Sequence, residues 1–247
     1  MNDLLDCRDV GVDIDIAYTD RRGLQDRCAI ATVTYGTDDP GYDAESLLPA
    51  DDWIPLPARL ASELDARSDA HASTVIELVR VPGVTALDEI YRFQPFGDRH
   101  PARFLGYTEC AADQRTTTTD TRTMRRLGIH LDNFDRMPLE RRHESRRRIG
   151  INLGPGPRYL VLATQDIKGL ARLTALIERD PHTDQVRQYV ARGGQLTCIR
   201  IRLEPGEGYL APTELIPHDG STWGINAPST IAFWLGEWPR SVFPSVV

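Results

Sequence analysis

From Ala102 onward the chain reads as a succession of short β runs: ARFLGYTECA, RRLGIHLDNF, RRIGINLG, PRYLVLATQDI, QLTCIRIRL, GYLAPTELI and STIAFWLGEW. Turns such as GPGP (Gly154 to Pro157) and EPGEG (Glu204 to Gly208) part them. Each run of this length buries one face and needs a second sheet to cover it, so the pattern predicts a sandwich, a barrel or a jelly roll. One helical insertion is expected at 168–193. KGLARLTALIERD carries Leu170, Leu173, Leu176 and Ile177 on one stripe, and after Pro181 a second helix starts at a Thr183 cap and stops at Gly193 and Gly194.

The first hundred residues have a different texture. CAIATVTYG (28–36) and STVIELVRV (73–81) read as strands, ARLASELDARSDA (58–70) has helical spacing, and GVTALDEIYRF (83–93) reads as a short helix. The Asp- and Pro-rich stretch from Thr37 to Pro57 reads as a surface loop. The expected fold class is mainly β with flanking helices (α+β) around a jelly-roll core. At 247 residues the expectation is a single domain, 1–247, in which an α/β section at 1–100 supports a core at 101–240.

Composition removes several classes of function. A net charge of −7 argues against nucleic acid as the partner, since phosphate-backbone affinity needs clustered positive charge. The basic run RRHESRRR (Arg141 to Arg148) is read chiefly as a solvated face, with room for one arginine to point inward. No apolar run approaches the roughly 20 residues that span a bilayer, and the acidic start MNDLLDCRDV is unlike a signal peptide. The expectation is a cytoplasmic monomer or homodimer acting on a small molecule, with no membrane partner. Four scattered cysteines, Cys7, Cys28, Cys110 and Cys198, have no CxxC pairing and read as buried thiols.

The candidate chemistry lies in GIHLDNFDR (128–136). On a strand, His130 and Asp132 share a face with Cα atoms roughly 6.5 Å apart, a spacing at which an imidazole and a carboxylate can converge on one ion at about 2.0–2.2 Å. The competing reading is a polar edge strand running into a turn. Of the six histidines, His218 has the best context for a third ligand, at the end of one late strand and just before the last apolar one. Two histidines and one carboxylate form the facial triad of non-haem iron(II) oxygenases. Asp135 lies too far along to join them and is read as a turn with Arg136.

This pattern, His-x-Asp on an early strand and a distal histidine before the final strand, resembles the iron(II)- and 2-oxoglutarate-dependent oxygenases of the cupin-like, double-stranded β-helix class over about residues 100 to 240. The resemblance implies His130, Asp132 and His218 as iron ligands, with 2-oxoglutarate and O2 as cosubstrates. It also implies a basic anchor for the far carboxylate of 2-oxoglutarate. The usual place for that anchor, about ten residues past the distal histidine, holds nothing basic before Arg240. Arg158 and Arg148, on strands between the ligand segments, are the alternatives, with a slight preference for Arg158. Asn152, Ser221 and Thr222 are candidates for added hydrogen bonds, and Asp219, Glu214 and Trp223 for substrate contacts; turn, capping and core roles compete for each. Asp132 favours hydroxylation over halogenation, because halogenases of the class lack that carboxylate. The implied activity is a tailoring hydroxylase of an amino acid or similar polar metabolite. Two rivals stay open: a metal cupin that uses no 2-oxoglutarate, whether a dioxygenase or an isomerase, and a non-catalytic cupin-like binding protein.

Overall fold

The structure, a computed structural model, describes residues 10–36, 39–81, 102–173 and 182–247. Cys7, His100, the helix expected at 83–93 and the second half of the one expected at 168–180 lie outside those residues. Among the described residues there are thirteen strands: β1 (Asp15–Ala17), β2 (Cys28–Tyr35), β3 (Tyr42–Pro49), β4 (Ile54–Pro55), β5 (Val75–Arg80), β6 (Arg103–Cys110), β7 (Arg126–Gly128), β8 (Arg147–Pro155), β9 (Arg158–Ala163), β10 (Thr197–Leu203), β11 (Glu207–Ala211), β12 (His218–Ser221) and β13 (Ser229–Gly236). Four short helices flank them: α1 (Arg21–Arg27), α2 (Ala58–Glu63), α3 (Ile167–Leu173) and α4 (Thr183–Ala191). The protein is mainly β, as the run of short strands predicts.

The strands form two sheets. One has six strands in the order β1-β5-β11-β8-β13-β6; the other has seven, in the order β12-β9-β10-β2-β3-β7 with β4 appended to β2. The section at 1–100 therefore contributes strands to both sheets: β5 extends one beyond β11 and β2 extends the other beyond β10. Strand alternation fills the space between the sheets. From β9, Leu160 and Leu162 face inward, joined by Ile199 and Ile201 of β10 and by Tyr209, Ala211 and Ile231 from the opposite sheet. The outer face of the six-stranded sheet carries Ile149, Ile151, Leu210, Ala232 and Trp234, covered by Trp238 and Phe243 near the C-terminus.

The seven-stranded sheet curls until its ends nearly meet. Beyond β7 the chain leaves β3 and reaches β12, where His130 and His218 exchange backbone hydrogen bonds, N–H to C=O at 3.0 and 2.8 Å. The threonine-rich segment fills the rest of the seam: Leu127 N–H donates to Thr118 O, and Thr222 N–H to Gln114 O.

Several local expectations are revised. RRLGIHLDNF is a strand only to Gly128, and His130 forms an isolated bridge instead of a continuous ladder. Gly128 has φ +72°, and a Cβ there would lie 2.5 Å from Leu47 O, so only glycine fits this turn. The stretch from Thr37 to Pro57 is not all loop, because β3 and β4 lie in it. Helix α4 is capped by His182 with Gln185 in a reciprocal capping box, and the expected cap, Thr183, instead accepts from Leu131 N–H at 3.1 Å. In the arginine run both Arg142 and Arg147 are buried, each against a carboxylate, Glu214 and Glu77. Asp135 pairs with Arg146 at 2.6 Å, at a bend that runs into Arg136 with φ +53°. Cys28, Cys110 and Cys198 are buried free thiols. No described helix is long and apolar enough to cross a membrane.

Candidate metal centre

The seam of the curled sheet brings His130, Asp132 and His218 together. One potential ligand atom from each lies within 4.8 Å of the others. His130 Nε2 stands 3.9 Å from Asp132 Oδ1, and His218 Nε2 stands 3.7 Å from Asp132 Oδ2. All three side chains are nearly or wholly buried.

Backbone carbonyls aim both imidazoles. His130 Nδ1 lies 2.9 Å from Gly128 O, and His218 Nδ1 lies 3.0 Å from Ile216 O. A carbonyl only accepts, so each Nδ1 carries a proton and each Nε2 lone pair points at the shared space. Orientation of this kind is what metal-binding histidines require of their surroundings. Asp132 is fixed by its backbone, whose N–H donates to Thr213 O at 3.1 Å.

The centre contains a cation of its own. The Arg148 guanidinium reaches in from β8, with Nη1 2.8 Å from Asp132 Oδ2 and Nη2 2.6 Å from His218 Nε2. Nη2 also lies 3.1 Å from Tyr209 OH, and the guanidinium carbon sits 4.9 Å from the centre of the Phe233 ring. Despite the close approach, Asp132 Oδ2 receives no well-aligned hydrogen bond, so the contact is an ion pair of poor directionality.

These charges set the protonation states. Burial would raise the Asp132 carboxyl, but Arg148 first, and then the two histidines, hold it below the usual carboxylate range. Burial, reinforced by Arg148, drives His218 well below the ordinary imidazole value and keeps it neutral. Burial acts the same way on His130, yet the carboxylates of Asp219 and Asp132 outweigh it and raise that pKa. Asp219 Oδ2 lies 3.6 Å from His130 Nδ1, too long for a second hydrogen bond, so it acts on the ring through charge.

The remaining candidates divide into two groups. Arg158 faces the interior at the far end of β9, buried, with only neutral partners: Thr117 Oγ1 at 3.2 Å, and Ser229 Oγ and Cys110 Sγ at 3.5 Å each. No carboxylate among the described residues pairs with it. Gly220 makes room for its head group, since a Cβ there would collide with the Arg158 guanidinium. The others make contacts within the chain. Asn152 is consumed by the turn after β8, donating to Gly156 O and Leu203 O and accepting from Gly154 N–H. Thr222 Oγ1 staples the 111–114 segment, Ser221 Oγ donates to Gln114 O, and Trp223 lies under Arg115. Glu214 anchors the loop after Asp132, taking Asp135 N–H, Ser145 Oγ and Arg142. Asp219 Oδ1 accepts from Thr117 N–H, Thr118 N–H and the Thr118 hydroxyl.

Tyr209, Thr117 and Thr118 also contact these groups, and none of them belongs to a recognisable motif. Alternation along GYLAP puts Tyr209 on the same face as Ala211, which was a usable signal for the first. The threonines sit in a low-complexity tract with no pattern to betray their contacts.

No family model matches this chain, and no curated protein or solved structure matches it either. Its class therefore rests on the site itself, a buried His-Asp-His group in a mainly β protein that can hold a metal ion. The donor set fits a divalent first-row metal, with two imidazole nitrogens and one carboxylate whose second oxygen has no aligned hydrogen bond.

Proposed function

We propose that this protein is a non-haem iron(II)- and 2-oxoglutarate-dependent oxygenase that hydroxylates an unactivated C–H bond of a small polar metabolite, an amino acid or a derivative. The observation that carries the reading is Arg158. A buried guanidinium with no acid beside it is costly unless an anion joins it. It lies on the inner face that also carries His218, because Leu162 opposes His218 and Leu160 opposes Gly220 across β9 and β12. Its planar fork suits a carboxylate.

Strand order supports the same reading. Omitting the strands from the first hundred residues, one sheet runs β6-β13-β8-β11 and the other runs β12-β9-β10, with the His130 segment beside β12. This order fits a double-stranded β-helix, in which consecutive strands fall in opposite sheets except for the central pair, here β9 and β10, which are neighbours in one sheet. The ligands then stand on the second and seventh of eight core strands, and the insertion holding α3 and α4 falls between the fourth and fifth.

When bound, iron(II) with 2-oxoglutarate and O2 supplies the oxidising chemistry. The chain supplies placement. His130, Asp132 and His218 would hold the metal from one side and leave its other positions to ligands. Arg158 would fix the far carboxylate, and the Leu160, Leu162 and Ile231 wall excludes water.

The test is an anaerobic titration with iron(II) and 2-oxoglutarate, watching for a weak visible charge-transfer band. The band is expected in the wild type, absent in His218→Ala, and reached only at much higher 2-oxoglutarate in Arg158→Met. Iron bound with no band would favour the metal cupin that uses no 2-oxoglutarate, a reading helped by the lack of any basic residue on β13. No bound iron would remove the metal centre altogether.

A further inference from the structure

Arg148 has two sets of partners, and they differ in chemistry. One set is the pair of groups that any metal in the His130/Asp132/His218 site needs, the Asp132 carboxylate and the His218 Nε2 lone pair. The other set is neutral and stays available if the guanidinium retreats: the Tyr209 hydroxyl and the Phe233 ring. A cation–π contact and a charge-assisted hydrogen bond to a hydroxyl offset part of the cost of the guanidinium once Asp132 is given up to a metal.

We propose that Arg148 is an internal stand-in for the metal, a guanidinium that occupies the centre in the metal-free protein and must swing off Asp132 and His218 for a metal ion to enter. The inference rests on the metal reading of the triad and adds a competitor to it. Three observations support it. The Nη atoms lie 2.8 and 2.6 Å from two of the three ligand groups, so guanidinium and metal cannot both be accommodated there. The fit to Asp132 is poor, since Oδ2 receives no aligned hydrogen bond, which makes the ion pair displaceable. The Arg148 side chain is 11 % exposed, whereas His218 is fully enclosed, so the arginine lies nearer the surface than the histidine it contacts.

The consequence is that metal affinity is set partly by the protein's own arginine. Entry of a dication must break the Arg148 contacts and overcome repulsion from a neighbouring positive charge. The metal-free centre is also kept from presenting a bare buried carboxylate.

The experiment is a titration with cobalt(II), followed by its visible absorption, on the wild type, Arg148→Met and His218→Ala. Arg148→Met is expected to bind cobalt at least tenfold more tightly than the wild type, about 1.4 kcal/mol. Millimolar guanidinium should then weaken binding in Arg148→Met, by refilling the vacated place, and leave the wild type unchanged. Loss of distant repulsion alone would raise affinity without that competition, so a tighter variant indifferent to guanidinium overturns the proposal. So does equal or weaker binding in Arg148→Met while His218→Ala loses cobalt. If neither the wild type nor Arg148→Met binds cobalt, the metal reading fails instead. Should Arg148→Met not fold, Arg148→Lys carries the test. Its point charge cannot bridge both partners, so an intermediate gain is expected, and no gain overturns the proposal.

Discussion

Two arginines that face the same interior are stabilised in opposite ways, and the difference can be measured residue by residue. Arg148 is matched: burial would lower its pKa, but Asp132 and then Tyr209 raise it. Arg158 has hydroxyls and a thiol for company and no acid among the described residues. Replacing a buried charge of the second kind with an apolar chain of similar volume removes a desolvation penalty. Arg158→Met is therefore expected to stabilise the ligand-free protein by about 1–3 kcal/mol, although most changes to buried residues destabilise. Denaturant unfolding checks this directly. A fall in the midpoint would show that Arg158 is held by the fold and is not waiting for an anion.

At the scale of elements, helix α3 shows how a cap can carry a cost. Asp166 Oδ1 accepts from Gly169 N–H at 2.6 Å, the usual duty of an acid at a helix start. Burial nonetheless pushes its carboxyl up to about 6, against the pull of that hydrogen bond and with help from the charge of Asp13. In the unfolded chain the same group ionises near 3.9. Between those values the folded protein holds a proton that the unfolded chain has released, so stability falls as pH rises from about 4 to about 6 and stays reduced above. Asp166→Asn keeps the acceptor and cannot ionise. It should gain about 1–2 kcal/mol over the wild type at pH 8, and the gain should vanish by pH 4. Thermal melts at both pH values test the sign as well as the size.

The elements also show what a single sequence discloses. Strands β8, β9, β10 and β13 are legible because Ile, Leu and Val recur among them at strand spacing, a local signal that survives any tertiary context. Strand β12 is HDGS, polar and four residues long, and only its neighbours across the sheet make it a strand. Segment 129–133 was read as strand from apolar alternation, but the left-handed turn at Gly128 and docking onto α4 decide its path. Likewise Arg142 and Arg147 resemble their exposed neighbours in composition, and their burial follows from Glu214 and Glu77, which lie about 70 positions away. The candidate metal residues could be named because histidine and aspartate are chemically distinctive at short spacing. The stand-in role of Arg148 depends on distances that no spacing rule supplies.

For the whole molecule, the centre joins parts of the chain far apart in sequence, and occupancy should register as global stability. A ligand that binds only the folded state adds about 2.7 kcal/mol at a hundredfold excess over its dissociation constant. Manganese(II) or cobalt(II) is thus expected to raise the melting temperature of the wild type by several degrees and to leave His218→Ala unmoved. An equal rise in both proteins would place the ion elsewhere.

The reciprocal hydrogen bonds between His130 and His218 have one more effect. A curled sheet that stops short of closing has two open margins, and an open margin with unpaired N–H and C=O groups invites a strand from another molecule. Here β12 and the continuation of β7 spend those groups on each other. The pair of residues offered to a metal also closes this margin of the seven-stranded sheet to a strand from another molecule.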